Sequence, residues 1–258
     1  MRFFKKIYVT ALKKTDLASA IAVRLTKITG KSKYPIHPKH LLEQNPWFTK
    51  YLEKKDTLID LGAGNGQNTI KAAKLVKKVI AVEVDDRLFK IARLSAKSHK
   101  RINIAFRKLD LEEKLPYKNN SFTKAIFLDV LEHLSNREQV LRELKRILKP
   151  GGLLFLGVPN SATSWKKMQR SVGICSFSDP DHKIEFTENL IRKLLSRHKF
   201  KIVKLDYGKY DIPIRGLIDI IGVFSINFYK KIHSWRAKKG LLEPQNASGF
   251  EIICENIK

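Results

Sequence analysis

Leu58-Ile-Asp-Leu-Gly-Ala-Gly-Asn-Gly66 is the stretch that decides the fold. A short apolar run enters a glycine-rich turn, and a helical pattern follows. Glycines at 62, 64 and 66 let the backbone approach a ligand closely and adopt angles that a Cβ forbids. The spacing is not the dinucleotide pattern G-x-G-x-x-G: counted from Gly62 the third glycine falls on Gln67, and counted from Gly64 it falls on Thr69. No Gly-Lys-Ser/Thr follows, so the turn is not a Walker-type phosphate loop either. Asp60 adds a sign. A carboxylate at the end of the strand repels a pyrophosphate and suits a ligand carrying an ammonium and a sulfonium.

Outward from that turn the chain alternates between strand and helix. Thr57–Leu61, Val79–Glu83, Ile102–Phe106, Lys124–Leu128 and Leu153–Val158 have the length of buried parallel strands. Helical patterns lie between them near 66–77, 86–98 and 136–149. The last opens on Ser135-Asn-Arg-Glu138, which reads as a capping box. Thr187 is placed to cap a further helix, with Phe186 and Ile191 as its hydrophobic staple. A strand near Lys201–Leu205 and a last one over Phe250–Cys254 bring the count to seven, an α/β doubly wound sheet. Upstream, residues 1–13 carry a helical apolar stripe. Asp16 reads as the N-cap of a helix to about Ile28, and a third helix is expected from about Pro38 to Lys54, either continuous or interrupted at Pro46. The expected organisation is an N-terminal basic helical extension over 1–55, then a domain over 56–258 with a helical insertion at about 208–248.

In such a sheet ligands bind beyond the carboxyl ends of the strands. Glu83 ends the second strand 21 residues after Gly62, where an acidic residue accepts ribose hydroxyls; Asp85 competes for that role. Asp110 follows the third strand and can accept the exocyclic amine of adenine. Asp129 to Leu134 follow the fourth. Within them His133 is a candidate general base, because an unperturbed imidazole titrates near pH ~6.5. The alternative is a histidine packed at a helix start. His182, ahead of the Thr187 cap, is a candidate for lining an acceptor pocket.

These stretches together resemble the class I S-adenosylmethionine-dependent methyltransferases, most closely their small-molecule and lipid-acting group. The resemblance rests on LIDLGAGNG, AVEVD, LDLEEKLPYKNNSFTKAIFLDVLEHL and VLRELKRILKPGGLLFLGVPN in order over about 56–160, with a weaker continuation to about 205. It implies strand order 3-2-1-4-5-7-6 with an antiparallel seventh strand. It implies S-adenosyl-L-methionine as cofactor, with Asp60, Gly62, Gly64 and Gly66 around its methionine part, Glu83 at the ribose, Asp110 and Leu111 at the adenine, and Asp129 close by. Two positions depart from the family pattern: Thr123 stands where Asp is frequent, and Ala63 where Cys is common. The implied activity is methyl transfer to a small-molecule or lipid-linked acceptor, at oxygen.

Composition narrows the partners. The chain has 258 residues, 43% of them hydrophobic, enough for a sizeable core. Its formal net charge is +26, of which residues 1–55 carry +10. Nucleic acid, an anionic membrane surface and an anionic substrate all favour such a chain, and so does a generally Lys-rich proteome. An RNA methyltransferase is therefore the alternative reading, though no RNA-binding module is recognisable, and a non-enzymatic binding protein on the cofactor fold is a third. Two cysteines 79 positions apart exclude a disulfide scaffold, and no metal-ligating set is read from the spacing. The longest apolar run, Gly216 to Phe228, is too short to span a bilayer and contains Asp219. The first 14 residues, with Lys5, Lys6, Lys13 and Lys14, do not read as a signal peptide, so a cytoplasmic protein is expected, peripheral at the inner membrane surface if the stripe binds lipid. Acceptor specificity is expected from the variable parts, 1–55 and 208–248. Nothing in the sequence fixes the oligomeric state.

Overall fold

The computed structural model describes residues 2–42, 45–100 and 103–258. These form a seven-stranded sheet of β1 (Thr57–Leu61), β2 (Lys78–Val82), β3 (Ile104–Arg107), β4 (Phe122–Leu128), β5 (Leu148–Pro159), β6 (Phe200–Tyr207) and β7 (Gly249–Asn256). The order is β3-β2-β1-β4-β5-β7-β6, with β7 antiparallel. β1 pairs in parallel with both β2 and β4, setting Asp60 beside Ala81 on one side and Ile126 on the other. The connections therefore run one way from β1 to β3 and the other way from β4 onward, so the switch point lies between β1 and β4.

The helices are α1 (Arg2–Lys14), α2 (Leu17–Ile28), α3 (Gln67–Ala73), α4 (Asp86–Ser98), α5 (Arg137–Ile147), α6 (Ser164–Ser171), α7 (Glu188–Arg197), α8 (Arg215–Phe224) and α9 (Ile226–Leu242). The chain divides into two compact units. One, the sheet unit, takes residues 45–159, 181–206 and 250–258; the other, the helical unit, takes 1–44, 160–180 and 207–249.

In the sheet unit the central strands are buried on both faces, which is why they read as continuous apolar runs rather than alternating ones. One side of the core joins Leu58, Val79, Ile126 and Phe155 to Phe48, which stacks on Phe155 at 5.7 Å between ring centroids. The entry to β1 and β4 is pinned by buried Asp56. Its carboxylate accepts from the Thr123 hydroxyl at 2.8 Å and the Glu53 amide at 2.7 Å, and pairs with Lys124 Nζ at 3.0 Å. Thr123 Oγ1 also accepts from the Thr57 amide at 3.1 Å. The hydroxyl that replaces the family's frequent Asp thus ties the two central strands together.

In the helical unit α8 begins in backbone contact with the turn before α2: a Cβ on Gly216 would lie 2.1 Å from the Thr15 carbonyl oxygen. Buried Asp219 of α8 accepts hydrogen bonds from Ser19 of α2 at 2.5 Å and Tyr229 of α9 at 3.0 Å, and pairs with His37 at 3.1 Å. Burial opposes its ionisation, yet these partners hold the carboxyl below its usual range, and burial beside Asp219 pushes the Tyr229 phenol up.

Several local expectations change. Asp16 has helical backbone angles and makes no capping hydrogen bond; it pairs with Lys13 at 3.0 Å instead. The helix expected over 38–54 is two 3₁₀ turns, Pro38–Leu41 and Trp47–Tyr51, with residues 43 and 44 outside the described set. Pro46 removes a donor and disfavours a helical residue ahead of it, which breaks the run. The expected box at Ser135 is displaced by one residue: Asn136 caps α5 by accepting from the Gln139 amide, while Glu138 pairs with Arg197 and His198. Thr187 does cap α7, accepting from the Leu190 amide at 3.2 Å, and Phe186 and Ile191 are both fully buried. Ile102, the expected first residue of the third strand, lies outside the described residues.

Candidate active site

The glycine turn assigns its three glycines three different tasks. All have positive φ: +73° at Gly62, +56° at Gly64 and +79° at Gly66. A Cβ on Gly62 would meet Val130 Cγ2 at 2.4 Å, so this glycine lets the loop after β4 close onto the turn at the switch point. A Cβ on Gly66 would lie 3.0 Å from Ala92 Cβ, so this one lets α4 approach the start of α3. At Gly64, among the described residues, a Cβ would meet nothing within 4 Å. That open face is the part of the turn a ligand can reach, and the part a side chain would fill.

Two carboxylates border it. Glu83 Oε2 accepts from the Gly64 amide at 2.7 Å, and its Oε1 accepts from the Val84 and Asp85 amides at 2.9 Å each. Three backbone donors fix this carboxylate and leave it one of roughly four acceptor positions. Asp85 instead caps α4, accepting from the Leu88 amide at 2.7 Å, which gives it a structural task. Asp60 is buried at the end of β1 and accepts from the Thr69 hydroxyl. Burial, reinforced by the neighbouring Glu83 charge and opposed by Thr69, pushes the Asp60 carboxyl up to about 7.

Further along the same edge, Asp110 is exposed, its Oδ1 accepting from the Glu112 amide at 2.8 Å, and Leu111 is buried beside it. Asp129 follows β4 with φ of +56°, a left-handed conformation unusual for a residue with a side chain, held by its amide donating to the Gly157 carbonyl at 3.0 Å. Strain of this kind, at the carboxyl end of a central strand, belongs to loops that are placed rather than merely connected.

The loop from Asp129 leads into a 3₁₀ turn over Leu131–His133. There His133 and His182, taken separately in the sequence, meet edge to face at 4.6 Å between ring centroids. His182 Nδ1 lies 3.0 Å from Glu185 Oε1 and its Nε2 lies 3.8 Å from Glu132 Oε1. The Glu132 carbonyl accepts from the Lys183 amide at 2.8 Å, fixing the two loops against each other. Donor atoms of Glu132, His133 and His182 all lie within 4.8 Å of one another, a spacing that one divalent cation can span. Sequence reasoning missed Glu132 and Glu185. Their only signal is adjacency, Glu132-His133 and the three-residue step from His182 to Glu185.

A turn with an open glycine face, bordered at the switch point by the Glu83 carboxylate and the buried Asp60 carboxyl, fits a cationic ligand with ribose hydroxyls. Residues 59–156 match a family model described as a methyltransferase domain. With this sheet order, that stretch carries the fold of the class I methyltransferases. Among curated relatives, the ubiquinone biosynthesis O-methyltransferase of Xanthomonas oryzae pv. oryzae is 29% identical over 150 residues, which is 56% of this chain and 60% of that protein. The chain thus spans about three fifths of the curated relatives it matches. Among solved structures, a SAM-dependent methyltransferase from Methanosarcina mazei aligns with TM-score 0.58 at 19% identity, covering 84% of this chain and 99% of that one. The [4+2]-cyclase SpnF aligns with TM-score 0.56 at 18% identity, covering 80% and 76%. A cyclase on the same fold is a reminder that the sheet alone does not set the reaction.

Proposed function

We propose that the protein transfers a methyl group to an oxygen atom of a small-molecule or lipid-linked acceptor. The observation that carries this reading is the imidazole pair His133 and His182, braced by Glu132 and Glu185, just past β4 on the edge that holds the glycine turn. The O-methyltransferase relatives support it. S-adenosyl-L-methionine supplies a methyl group already activated on a sulfonium, so the protein's work is placement and proton removal. Gly64 admits the ligand to the turn, Gly62 acts indirectly by letting Val130 close against it, Glu83 takes a ribose hydroxyl with its remaining acceptor position, Asp60 faces the cationic methionine end, and Asp110 and Leu111 receive the adenine. Gly66 acts indirectly, by seating α3 against α4. Asp129 sets the course of the loop that carries His133. His133 accepts the acceptor's hydroxyl proton, and the carboxylates behind the pair stabilise the imidazolium that results.

The test is a methylation assay on a panel of hydroxylated small molecules, with bulk RNA as a parallel substrate. His133→Ala is expected to lower kcat about 10²–10⁴-fold while leaving cofactor affinity within about threefold. Unchanged turnover in that variant removes His133 from the reaction. Methyl incorporation into RNA alone selects the RNA reading, which the +26 charge motivates. Cofactor binding with no methylated product on any class selects the non-enzymatic one.

A further inference from the structure

α1 packs by its narrow side and turns its broad apolar side outward. At 100° per residue, Phe3, Phe4, Ile7, Tyr8 and Ala11 share one face of this helix, and Val9 lies on the opposite one. Val9 is fully buried, in a cluster with Trp165 and Val172. Phe3, Phe4, Ile7 and Tyr8 are 70%, 74%, 52% and 59% exposed. An amphipathic helix docking on its own protein does the reverse, burying its widest apolar face. These rings therefore do not cover another part of the helical unit. The body already holds α1 by Val9 and by Lys13, whose Nζ donates to the Phe177 carbonyl at 2.6 Å.

The pattern continues beyond α1. On α2, Leu17, Ile21 and Ile28 recur on the face opposite buried Ala22 and Thr26, and all three are exposed. Of the twenty-one large hydrophobic residues exposed among the described residues, fifteen belong to the helical unit, which has fewer than half the residues. The same unit carries +14 of the net +26 charge by sequence. On α1 the exposed apolar face is flanked by exposed Lys5, Lys6 and Lys14, and the helix contains no acidic residue. Among the described residues no helix is long and apolar enough to cross a membrane. Exposed aromatic and aliphatic side chains fringed by lysines, on a helix about 20 Å long, match a helix lying in the plane of an anionic lipid surface. A nucleic acid needs the lysines and has no use for the aliphatic face. A second copy of this chain finds the face apolar but brings the same positive fringe against it.

We infer that α1 is a membrane-docking helix, lying flat on a bilayer rich in anionic lipid with Phe3, Phe4 and Ile7 inserted among the headgroups and Lys5 and Lys6 at their phosphates. This holds whichever acceptor the methyltransferase domain uses.

The test is co-sedimentation of the full chain with vesicles of phosphatidylcholine alone and of phosphatidylcholine with about one third phosphatidylglycerol. Wild type is expected to partition onto the anionic vesicles and to be released by salt. The triple variant Phe3→Ser/Phe4→Ser/Ile7→Ser and the double variant Lys5→Glu/Lys6→Glu are each expected to lose binding about tenfold or more. Both change exposed side chains, so melting temperature and cofactor affinity should stay at wild-type values and establish that the variants fold. Tyr8→Trp should show a blue-shifted emission on anionic vesicles only. Wild type that stays in the supernatant, or variants that sediment like wild type, would overturn the inference. So would a concentration-dependent dimer, or RNA binding, that the triple variant abolishes while vesicles are ignored.

Discussion

Asp60 makes the chemistry of the site visible in one side chain. Its carboxyl is raised from the ordinary 3.8 to about 7, chiefly by burial, so the fold prefers it protonated. That contribution to stability is fully present below pH ~3.8 and is lost as pH rises through about 7. Asp60→Asn, uncharged at every pH, should therefore be more stable than wild type at pH 8, by up to a few kcal/mol, and no more stable at pH 4. Urea denaturation at the two pH values checks this; equal stabilisation at both would mean that Asp60 is not the titrating group. A cation bound beside Asp60 favours its ionised form, so affinity for S-adenosylmethionine should rise as pH increases from 6 to 8, and Asp60→Asn should flatten that rise. The glycines give a contrast of the same kind. Gly64→Val is strained by its φ of +56° but meets no neighbour, so it should cost less stability than Gly66→Val and lose cofactor binding, because its face is open to ligand. Gly66→Val should destabilise the fold, since its side chain meets Ala92 and its φ is +79°. Glu83→Ala should weaken cofactor binding by about 1.5–3 kcal/mol by calorimetry, the scale of hydrogen bonds to a charged partner. If Asp85→Ala shows that loss instead, the roles of the two carboxylates are exchanged.

Among the elements, those that pack on an apolar face were legible and those decided by a single contact were not. β1 was readable to the residue, because a continuous apolar run between Thr57 and a glycine has few other uses. Thr187 was readable as a cap because Phe186 and Ile191 flank it at staple spacing. Asp16 and Ser135 have the right chemistry for caps, but Lys13 claims Asp16 and Lys183 bonds the Ser135 hydroxyl, partners that no local pattern reveals. The same holds at the site. The glycine turn and Glu83 follow from position along the chain, while the meeting of His133 with His182 needs two loops some fifty residues apart to converge. The join of α2, α8 and α9 at Asp219 is another such case, and it carries a prediction. Asp219→Ala strips a common acceptor from Ser19 and Tyr229 and the partner from His37, and should cost about 3 kcal/mol. Gly216→Ala drives a methyl group into the Thr15 carbonyl and should cost a comparable amount. Thermal unfolding measures both, and a melting point unchanged in either variant would show that the helices are held elsewhere.

For the whole molecule, charge is the governing quantity. A net +26 on 258 residues works against compaction through self-repulsion, and salt relieves it. The melting temperature should rise between roughly 20 and 300 mM sodium chloride, and a fall would mean that the ion pairs outweigh the repulsion. The two cysteines report on integrity under the same conditions. Cys254 is buried in β7 with its thiol pushed up to about 12 by burial, and Cys175 is exposed. A thiol reagent should modify one site per native chain and a second only on unfolding.

The place of β7 between β5 and β6 also sets an order in time. The ribosome delivers β6 more than forty residues before the strand that joins it to the sheet, and α8 and α9 are made in between. Until β7 arrives β6 has no neighbour, and its backbone groups stand open to any other nascent strand. Lys201 and Lys204, carried on β6 itself, guard it during that wait.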